Sequence, residues 1–105
     1  MAGRVRVLMT YFPSKGKETA FLRILKKHRR ALKKARLVAA EPPRVWRASD
    51  KATGRKYYVE MFAWRSSRAP REAYETPEVR ALWASMEPLL ESMEVGILKP
   101  VKLSP

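Results

Sequence analysis

Glu60 is the one acidic residue in the most aromatic segment of the chain, KYYVEMFAWR at positions 56–65. Three aromatic residues share its parity along an extended strand: Tyr58, Phe62 and Trp64. A carboxyl group in apolar surroundings has a raised pKa, which suits a general base or a ligand anchor. A strand arginine, Arg6 or Arg47, could instead hold Glu60 in an ion pair, and we favour that interpretation.

The aromatic side chains of this region suit a flat ligand. The candidates for stacking on a small aromatic or apolar molecule are Tyr58, Phe62, Trp64 and Trp46. Binding pockets combine such rings with a few polar groups. Aromatic residues are also enriched at the buried centre of protein interfaces. We favour an interface for these rings and keep ligand binding as the alternative.

Missing residue types exclude several kinds of chemistry. The chain has no cysteine, no asparagine, no glutamine and a single histidine, His28. Thiolate catalysis, disulfides, iron–sulfur clusters, multi-histidine metal sites and oxyanion sites built from side-chain amides are therefore excluded. His28 lies on the apolar side of a predicted helix, which favours packing or hydrogen bonding over a role as ligand or base. We expect neither a metal ion nor a cofactor.

The charge of the chain is strongly positive and unevenly distributed. The formal net charge is +13, and residues 17–36 contain nine basic residues against one acidic residue, Glu18. Such a segment can bind nucleic acid or another polyanion, or it can be a solvated helix face, which we favour. No apolar run approaches a membrane span and no secretory signal is evident, so we expect a cytoplasmic protein with no membrane partner.

Apolar periodicity and turn residues predict four strands and two main helices. In chain order these are a strand over Arg4–Phe12, a helix from Lys17, a strand within Leu37–Ala48, a strand over Lys56–Arg65, a short helical turn within Ser66–Glu75, a helix from Pro77 and a strand over Val95–Leu103. Pro42 and Pro43 should interrupt pairing in the second strand, because proline lacks the N–H donor. The loop Asp50–Gly54 makes the second and third strands antiparallel neighbours.

The second main helix has a clear start in the sequence. Thr76 is predicted to cap it, and a proline follows at the first helical position. Its apolar stripe continues from Val79 to Met93, and Pro88 should kink or split the helix near Ala84. A proline at position 100 puts the last strand at an edge of the sheet.

This order of elements is that of a single α+β domain over residues 1–105, with a ferredoxin-like β-α-β-β-α-β fold and a four-stranded antiparallel sheet. The side chains of the third strand alternate between two faces. We place beneath the helices the set without a charged residue, which is Tyr57, Val59, Met61 and Ala63. The opposite parity, which includes Glu60 and Trp64, would then need a cover. A second copy packed sheet against sheet, a ligand, or both would supply it, so we predict a homodimer.

Two stretches of the sequence resemble a known family. They are YVEMFAW at 58–64 and AYETPEVRALW at 73–83. A strand that ends in tryptophan, a short helix and a Pro-Glu-Val helix start are together similar to the antibiotic-biosynthesis-monooxygenase-like proteins of the dimeric α+β barrel superfamily. The resemblance covers nearly the whole chain. It implies a barrel formed by the two sheets of a dimer, with a cavity on the inner face of each sheet.

The resemblance also implies a set of site residues. Relatives include cofactor-independent monooxygenases that act on polycyclic aromatic compounds, and haem-degrading enzymes. Trp64 matches their cavity tryptophan, and Tyr74 stands where they have a histidine. With Glu60, a candidate because of its aromatic surroundings, these two are the predicted catalytic residues. The predicted ligand-binding residues are Tyr58, Phe62, Trp46 and His28.

Two departures from the family pattern bear on activity. The asparagine that these enzymes use on the first strand is missing, with Met9 nearest to its position, so the haem-degrading triad cannot form. Tyr74 replaces the histidine with a phenol, whose ordinary pKa is about 10. We predict a dimeric barrel that binds a small aromatic or apolar molecule, with monooxygenase-like activity as a hypothesis. The alternative is a regulatory dimer that binds nucleic acid or another polyanion.

Overall fold

Four strands and three helices make up residues 3–104, the part of the chain that this computed structural model describes. In chain order they are β1 (Val5–Pro13), α1 (Glu18–Lys34), β2 (Arg44–Ser49), β3 (Lys56–Trp64), α2 (Ala69–Glu75), α3 (Pro77–Met86) and β4 (Leu90–Ile97). All strand pairs are antiparallel, in the order β2-β3-β1-β4. The predicted α+β, ferredoxin-like fold is confirmed.

Helices cover the sheet on one face only. The molecule measures 47 × 43 × 19 Å, so its shortest dimension holds two layers, the sheet and the helices. The core fills the space between them, and its apolar members include Tyr11, Phe21, Leu25, Leu32, Leu37, Tyr58, Phe62, Trp64, Val79 and Met86. We call the uncovered side of the sheet the open face.

The side of β3 that faces the helices is the opposite of the predicted one. Tyr58, Glu60, Phe62 and Trp64 are buried in the core. Their alternates Tyr57, Val59 and Met61 lie on the open face and are partly exposed. The prediction was wrong because both parities of β3 are apolar and the only acid was assumed to face outward.

The register with β1 accounts for this orientation. Val7 is paired with Phe62, and Tyr11 is paired with Tyr58. Both β1 residues are buried under the helices, whereas Arg6 and Thr10 alternate with them and point to the open face. Because directly opposed residues in antiparallel strands share a face, β1 determines which side of β3 is buried.

Prolines interrupt the second strand and the second main helix as expected, with one difference in detail. Pairing of the second strand is broken before Arg44, and an isolated bridge joins Val38 to Trp64 on the other side of the break. α3 does not kink near Ala84 but ends at Met86 and passes into a 3-10 turn at Glu87–Leu89, because Pro88 has no N–H for an α-helical bond.

The last strand begins earlier than predicted. β4 spans Leu90–Ile97 rather than Val95–Leu103, so Leu90 and Met93 are strand residues and not part of the apolar stripe of α3. It lies at the edge of the sheet, as expected. Thr76 precedes α3, but its hydroxyl donates to the Glu72 carbonyl at 2.7 Å and does not cap the helix. None of the helices within residues 3–104 is long and apolar enough to cross a membrane.

Candidate functional site

Glu60 lies at the centre of the helix-facing side of the sheet. It is 1% exposed, and the row of residues across the strands at its level is Val45, Glu60, Met9 and Val95. The Tyr11 hydroxyl donates to its Oε1 at 2.7 Å. Tyr11 itself packs against Phe21 of α1, with ring centroids 4.9 Å apart. The carboxyl group is therefore enclosed by apolar side chains and has one short hydrogen bond.

Burial raises the pKa of Glu60, while the hydrogen bond from Tyr11 and the charge of Arg29 act in the opposite direction and are outweighed. The pKa of the Tyr11 phenol is raised as well, by burial and by the neighbouring carboxyl. The predicted ion pair of Glu60 with Arg6 or Arg47 is not formed. Arg6 instead pairs with Glu41, and Arg47 donates to the Tyr58 hydroxyl.

We expect Glu60→Gln to stabilise the protein at about pH 8. The free energy of unfolding of this variant should also depend less on pH above about pH 5 than that of the native protein. The folded-state pKa is raised, so the folded protein holds the proton more tightly than the unfolded chain does. Stability from this group is full at low pH and is lost as pH rises from the unfolded pKa through the folded one. Urea unfolding at several pH values measures this dependence.

A second variant distinguishes the effect of Glu60 protonation from the effect of the hydrogen bond that Tyr11 donates. Tyr11→Phe removes the donor to Glu60 and should lower the free energy of unfolding by about 1–2 kcal/mol. Glu60→Gln keeps an acceptor for Tyr11 and should not show that loss. A Gln variant that is less stable than the native protein at high pH would mean that the fold favours the ionised carboxylate, contrary to the raised pKa.

A second polar chain links the sheet to the start of α1. The Tyr58 hydroxyl donates to Glu18 Oε2 at 2.7 Å and accepts from Arg47 Nε at 3.1 Å. Its ring lies 5.6 Å from that of Phe21. Burial and the bond to Glu18 raise the pKa of Tyr58. Tyr58 therefore joins β2, β3 and α1 and does not face an open cavity.

His28 and Trp83 form the polar contact between the two main helices. His28 is 4% exposed, and Trp83 Nε1 donates to its Nε2 at 2.6 Å. Burial lowers the pKa of His28 to about 4, so the ring is neutral near pH 7. Its Nδ1 is buried with no hydrogen-bond partner. In the structure His28 thus packs against Trp83 and accepts a hydrogen bond from it, while its role as a ligand residue remains a prediction.

The residues predicted for catalysis are not gathered around one opening. Trp64 packs edge-on against Phe62, with centroids 5.1 Å apart, inside the core beneath the helices. Tyr74 on α2 is 61% exposed, and its ring centroid is 6.4 Å from that of Trp83. Within residues 3–104, no group of three or more histidine, cysteine or acidic residues is placed to hold a metal ion.

The open face has a groove beside Trp46. Its volume is about 360 Å³, and its lining residues are Arg6, Glu41, Pro42, Arg44, Trp46, Met61 and Phe62. The Trp46 side chain is 46% exposed, and it is paired across the strands with Val59. Arg6 Nη2 lies 3.0 Å and 3.1 Å from the two carboxylate oxygens of Glu41. Arg44 has no ion-pair partner within the described residues, so the groove offers an indole and an unpaired guanidinium.

The backbone matches that of several solved structures, although no family model and no curated protein matches the sequence. A proposed antibiotic biosynthesis monooxygenase from Caulobacter crescentus has a TM-score of 0.71 at 18% identity, over 96% of this chain and 92% of that chain. SnoaB, a cofactor-independent oxygenase from Streptomyces nogalater, has a TM-score of 0.67 at 15% identity, over 99% of both chains. The chain has the antibiotic biosynthesis monooxygenase fold. A NIPSNAP family protein from Agrobacterium tumefaciens is also similar, with a TM-score of 0.68 at 16% identity, over 99% and 91%.

In this example of the antibiotic biosynthesis monooxygenase fold, the candidate residues divide between two sides of the sheet. Glu60, Trp64 and His28 are enclosed on the helix side. Trp46 lies on the open face. The buried chemistry and the accessible groove are therefore separated by the sheet itself.

Sequence reasoning missed two residues of these sites. Tyr11, the partner of Glu60, was read only as part of a strand, although its position four residues after Val7 in an alternating segment predicts burial. Arg44 was also missed. Arg44 follows Pro43 and precedes the apolar Val45 in the strand. Because neighbouring strand residues point to opposite faces, this alternation predicts that Arg44 points to the sheet surface.

Proposed function

We propose that this chain works as a homodimer in which two open faces pack together, and that the groove beside Trp46 binds a small aromatic or apolar molecule. The observation that carries the proposal is the contrast between the faces of the sheet. Helices pack on one face, where the apolar side chains of the sheet that stay exposed are those of the edge strand β4, while the other face has no helices and exposes apolar side chains around a groove.

The dimer is supported by the residues of the open face. Its large apolar members are Leu8, Phe12, Trp46, Tyr57, Val59 and Met61. All are partly or largely exposed in one copy, and apolar patches of this kind on a soluble chain favour an interface. Two sheets that pack face to face, about 10 Å apart, bury such side chains between them. A two-fold axis lets the same patch serve both copies.

Ligand binding is supported by the size and lining of the groove. A volume of about 360 Å³ lies at the lower end of the range for small-molecule pockets. The Trp46 indole and the Met61 side chain offer an apolar wall, and a flat ring can stack on the indole. The Arg44 guanidinium beside them suits an acidic substituent, because its planar donors match a carboxylate. An aromatic molecule with one acidic group fits this lining best.

The proposal is limited to binding. Trp64 and Glu60 lie across the sheet from the groove, and Tyr74 is exposed on α2. A catalytic role for these three residues, and oxygenase activity of the kind named for SnoaB, remain predictions. The location in the cytoplasm remains a prediction as well.

We expect 1-naphthoate, as a probe aromatic acid, to quench tryptophan fluorescence in the native protein. Trp46→Leu should abolish the response, since Trp64 and Trp83 lie on the helix side. Arg44→Gln should weaken binding of 1-naphthoate by about tenfold, because a charge-assisted hydrogen bond to the carboxylate is lost. Titration followed by fluorescence measures both effects.

Two controls make this test specific to the groove. Arg47→Gln alters an arginine on the same strand that points to the helix side, and it should leave the affinity for 1-naphthoate unchanged. The neutral analogue 1-naphthalenemethanol should bind the native protein and Arg44→Gln equally. Loss of the response in Arg47→Gln alone, or an unchanged response in Trp46→Leu, would place the binding site elsewhere.

A further inference from the structure

The outward side of α1 holds a continuous stripe of positive charge, which the proposed function does not use. Six basic residues form it: Arg23, Lys26, Lys27, Arg30, Lys33 and Lys34. All six are exposed. At about 100° per residue they fall within an arc of about 120°, and at about 1.5 Å per residue they extend over about 16 Å. We call this surface the α1 stripe.

The charges of the α1 stripe are not neutralised by the rest of the described chain. The ion pairs within residues 3–104 involve Arg4, Arg6, Arg55 and Arg71, and none involves α1. One acid, Glu78 of α3, lines a shallow groove of about 340 Å³ beside Lys27 and Arg30. It forms no ion pair with either of them. The stripe is therefore an extended cationic surface that is open to a large anion.

We propose that the α1 stripe binds the phosphate backbone of a nucleic acid duplex, without sequence preference. One strand of a duplex presents a phosphate about every 3.4 Å along the axis, so about five phosphates span the length of the stripe. The six charges of the stripe are therefore comparable in number to the phosphates that they would face. The stripe holds only lysine and arginine, which suits contacts to phosphates rather than readout of bases.

A membrane surface fits the α1 stripe less well. Helices that lie in a bilayer insert an apolar face between the lipids. In α1 that face includes Phe21, Leu25 and Leu32, all buried against the sheet. The stripe lies on the helix side of the molecule, away from the open face, so a dimer formed through the open faces would leave it accessible on both copies.

The test is the salt dependence of binding to a short DNA duplex, measured by fluorescence anisotropy. If all six charges contact phosphates, the dissociation constant should rise about 10³-fold between 50 and 200 mM salt. The variant Lys26→Gln, Arg30→Gln, Lys33→Gln should bind more weakly and show a rise of only about 40-fold, because three counterions fewer are released. Circular dichroism verifies that α1 is retained.

A charge-matched control separates the α1 stripe from net charge. Lys51→Gln, Lys99→Gln, Lys102→Gln removes three exposed charges outside α1, so both triple variants change the formal net charge from +13 to +10. The control should keep the native salt dependence, and Glu78→Gln should bind the duplex more tightly. Equal losses in the two triple variants, no duplex binding at 50 mM salt, or tighter binding to phosphatidylserine vesicles than to the duplex would overturn the proposal.

Discussion

Val59→Glu is expected to convert the protein from a dimer to a monomer. Val59 lies on the central strand β3, and its cross-strand neighbours on the open face are Trp46 and Thr10. In a dimer formed through the open faces, a glutamate there would be buried among the apolar side chains of both copies. Burying an unpaired charge costs several kcal/mol, and the two-fold axis applies the change to both copies.

The expected weakening of the dimer by Val59→Glu is at least about 10³-fold, which corresponds to about 4 kcal/mol. Size-exclusion chromatography with light scattering over a range of protein concentrations measures it. The folded monomer should keep its core, because Val59 points away from the helices.

A second substitution tests whether the open face is the interface. Val95 lies on the edge strand β4, is 60% exposed and shares the row of Glu60, so it points to the helix side. Val95→Glu adds the same charge without touching the open face and should leave the dimer intact. If Val95→Glu gives monomers and Val59→Glu does not, the copies associate through β4 and the proposed arrangement is wrong.

Acid is expected to destabilise the protein through His28. The folded-state pKa of His28 is lowered from 6.5 to about 4 by burial, so the unfolded chain binds the proton more readily. This contribution to stability is present above the unfolded pKa and is lost as pH falls through the folded pKa. A difference of this size corresponds to about 3 kcal/mol between pH 6.5 and pH 4. It would be a large share of the stability of a small domain.

The variant His28→Gln removes the titrating group while leaving an acceptor for Trp83. Its free energy of unfolding should depend less on pH between 4 and 6.5 than that of the native protein, although it loses some packing at all pH values. Glu60 acts in the opposite direction over part of this range, so the quantity to compare is the difference between native and variant at each pH. Parallel pH curves for the two proteins would show that His28 takes up its proton at the same pH in the folded and unfolded chains, contrary to the prediction.

The order and type of the elements could be predicted because the signals are local. Alternation in β1, the helical spacing from Phe21 to Leu32 and the loop Asp50–Gly54 each specify one element without reference to the others. The prolines also set element ends by a local effect, since they remove an N–H wherever they stand. The same local character explains the break before Arg44.

The orientation of β3 could not be read from β3 alone. Tyr57, Val59 and Met61 are as apolar as Tyr58, Phe62 and Trp64, so alternation gives no preference. Glu60 then suggested the wrong side, because a buried carboxyl depends on a partner from another strand, Tyr11. The alternation of Val7 and Tyr11 with Arg6 and Thr10 in β1 was the more reliable signal.

The predicted boundary between α3 and β4 was wrong for a related reason. Leu89, Leu90 and Met93 continue the helical spacing of α3, yet they lie beyond Pro88. From Ser92 onward the alternation of polar and apolar residues has the period of a strand. Two periodic patterns overlap there, and the pairing of β4 with β1 decides between them.

The most direct test of the central claim is native mass spectrometry of the purified, gently desalted protein, since it reports the oligomeric state and any retained ligand in one spectrum. We expect a dimer, and added mass on that dimer should disappear in Trp46→Leu. A monomer at every concentration would rule out the proposed dimer, because the open face would then have no partner.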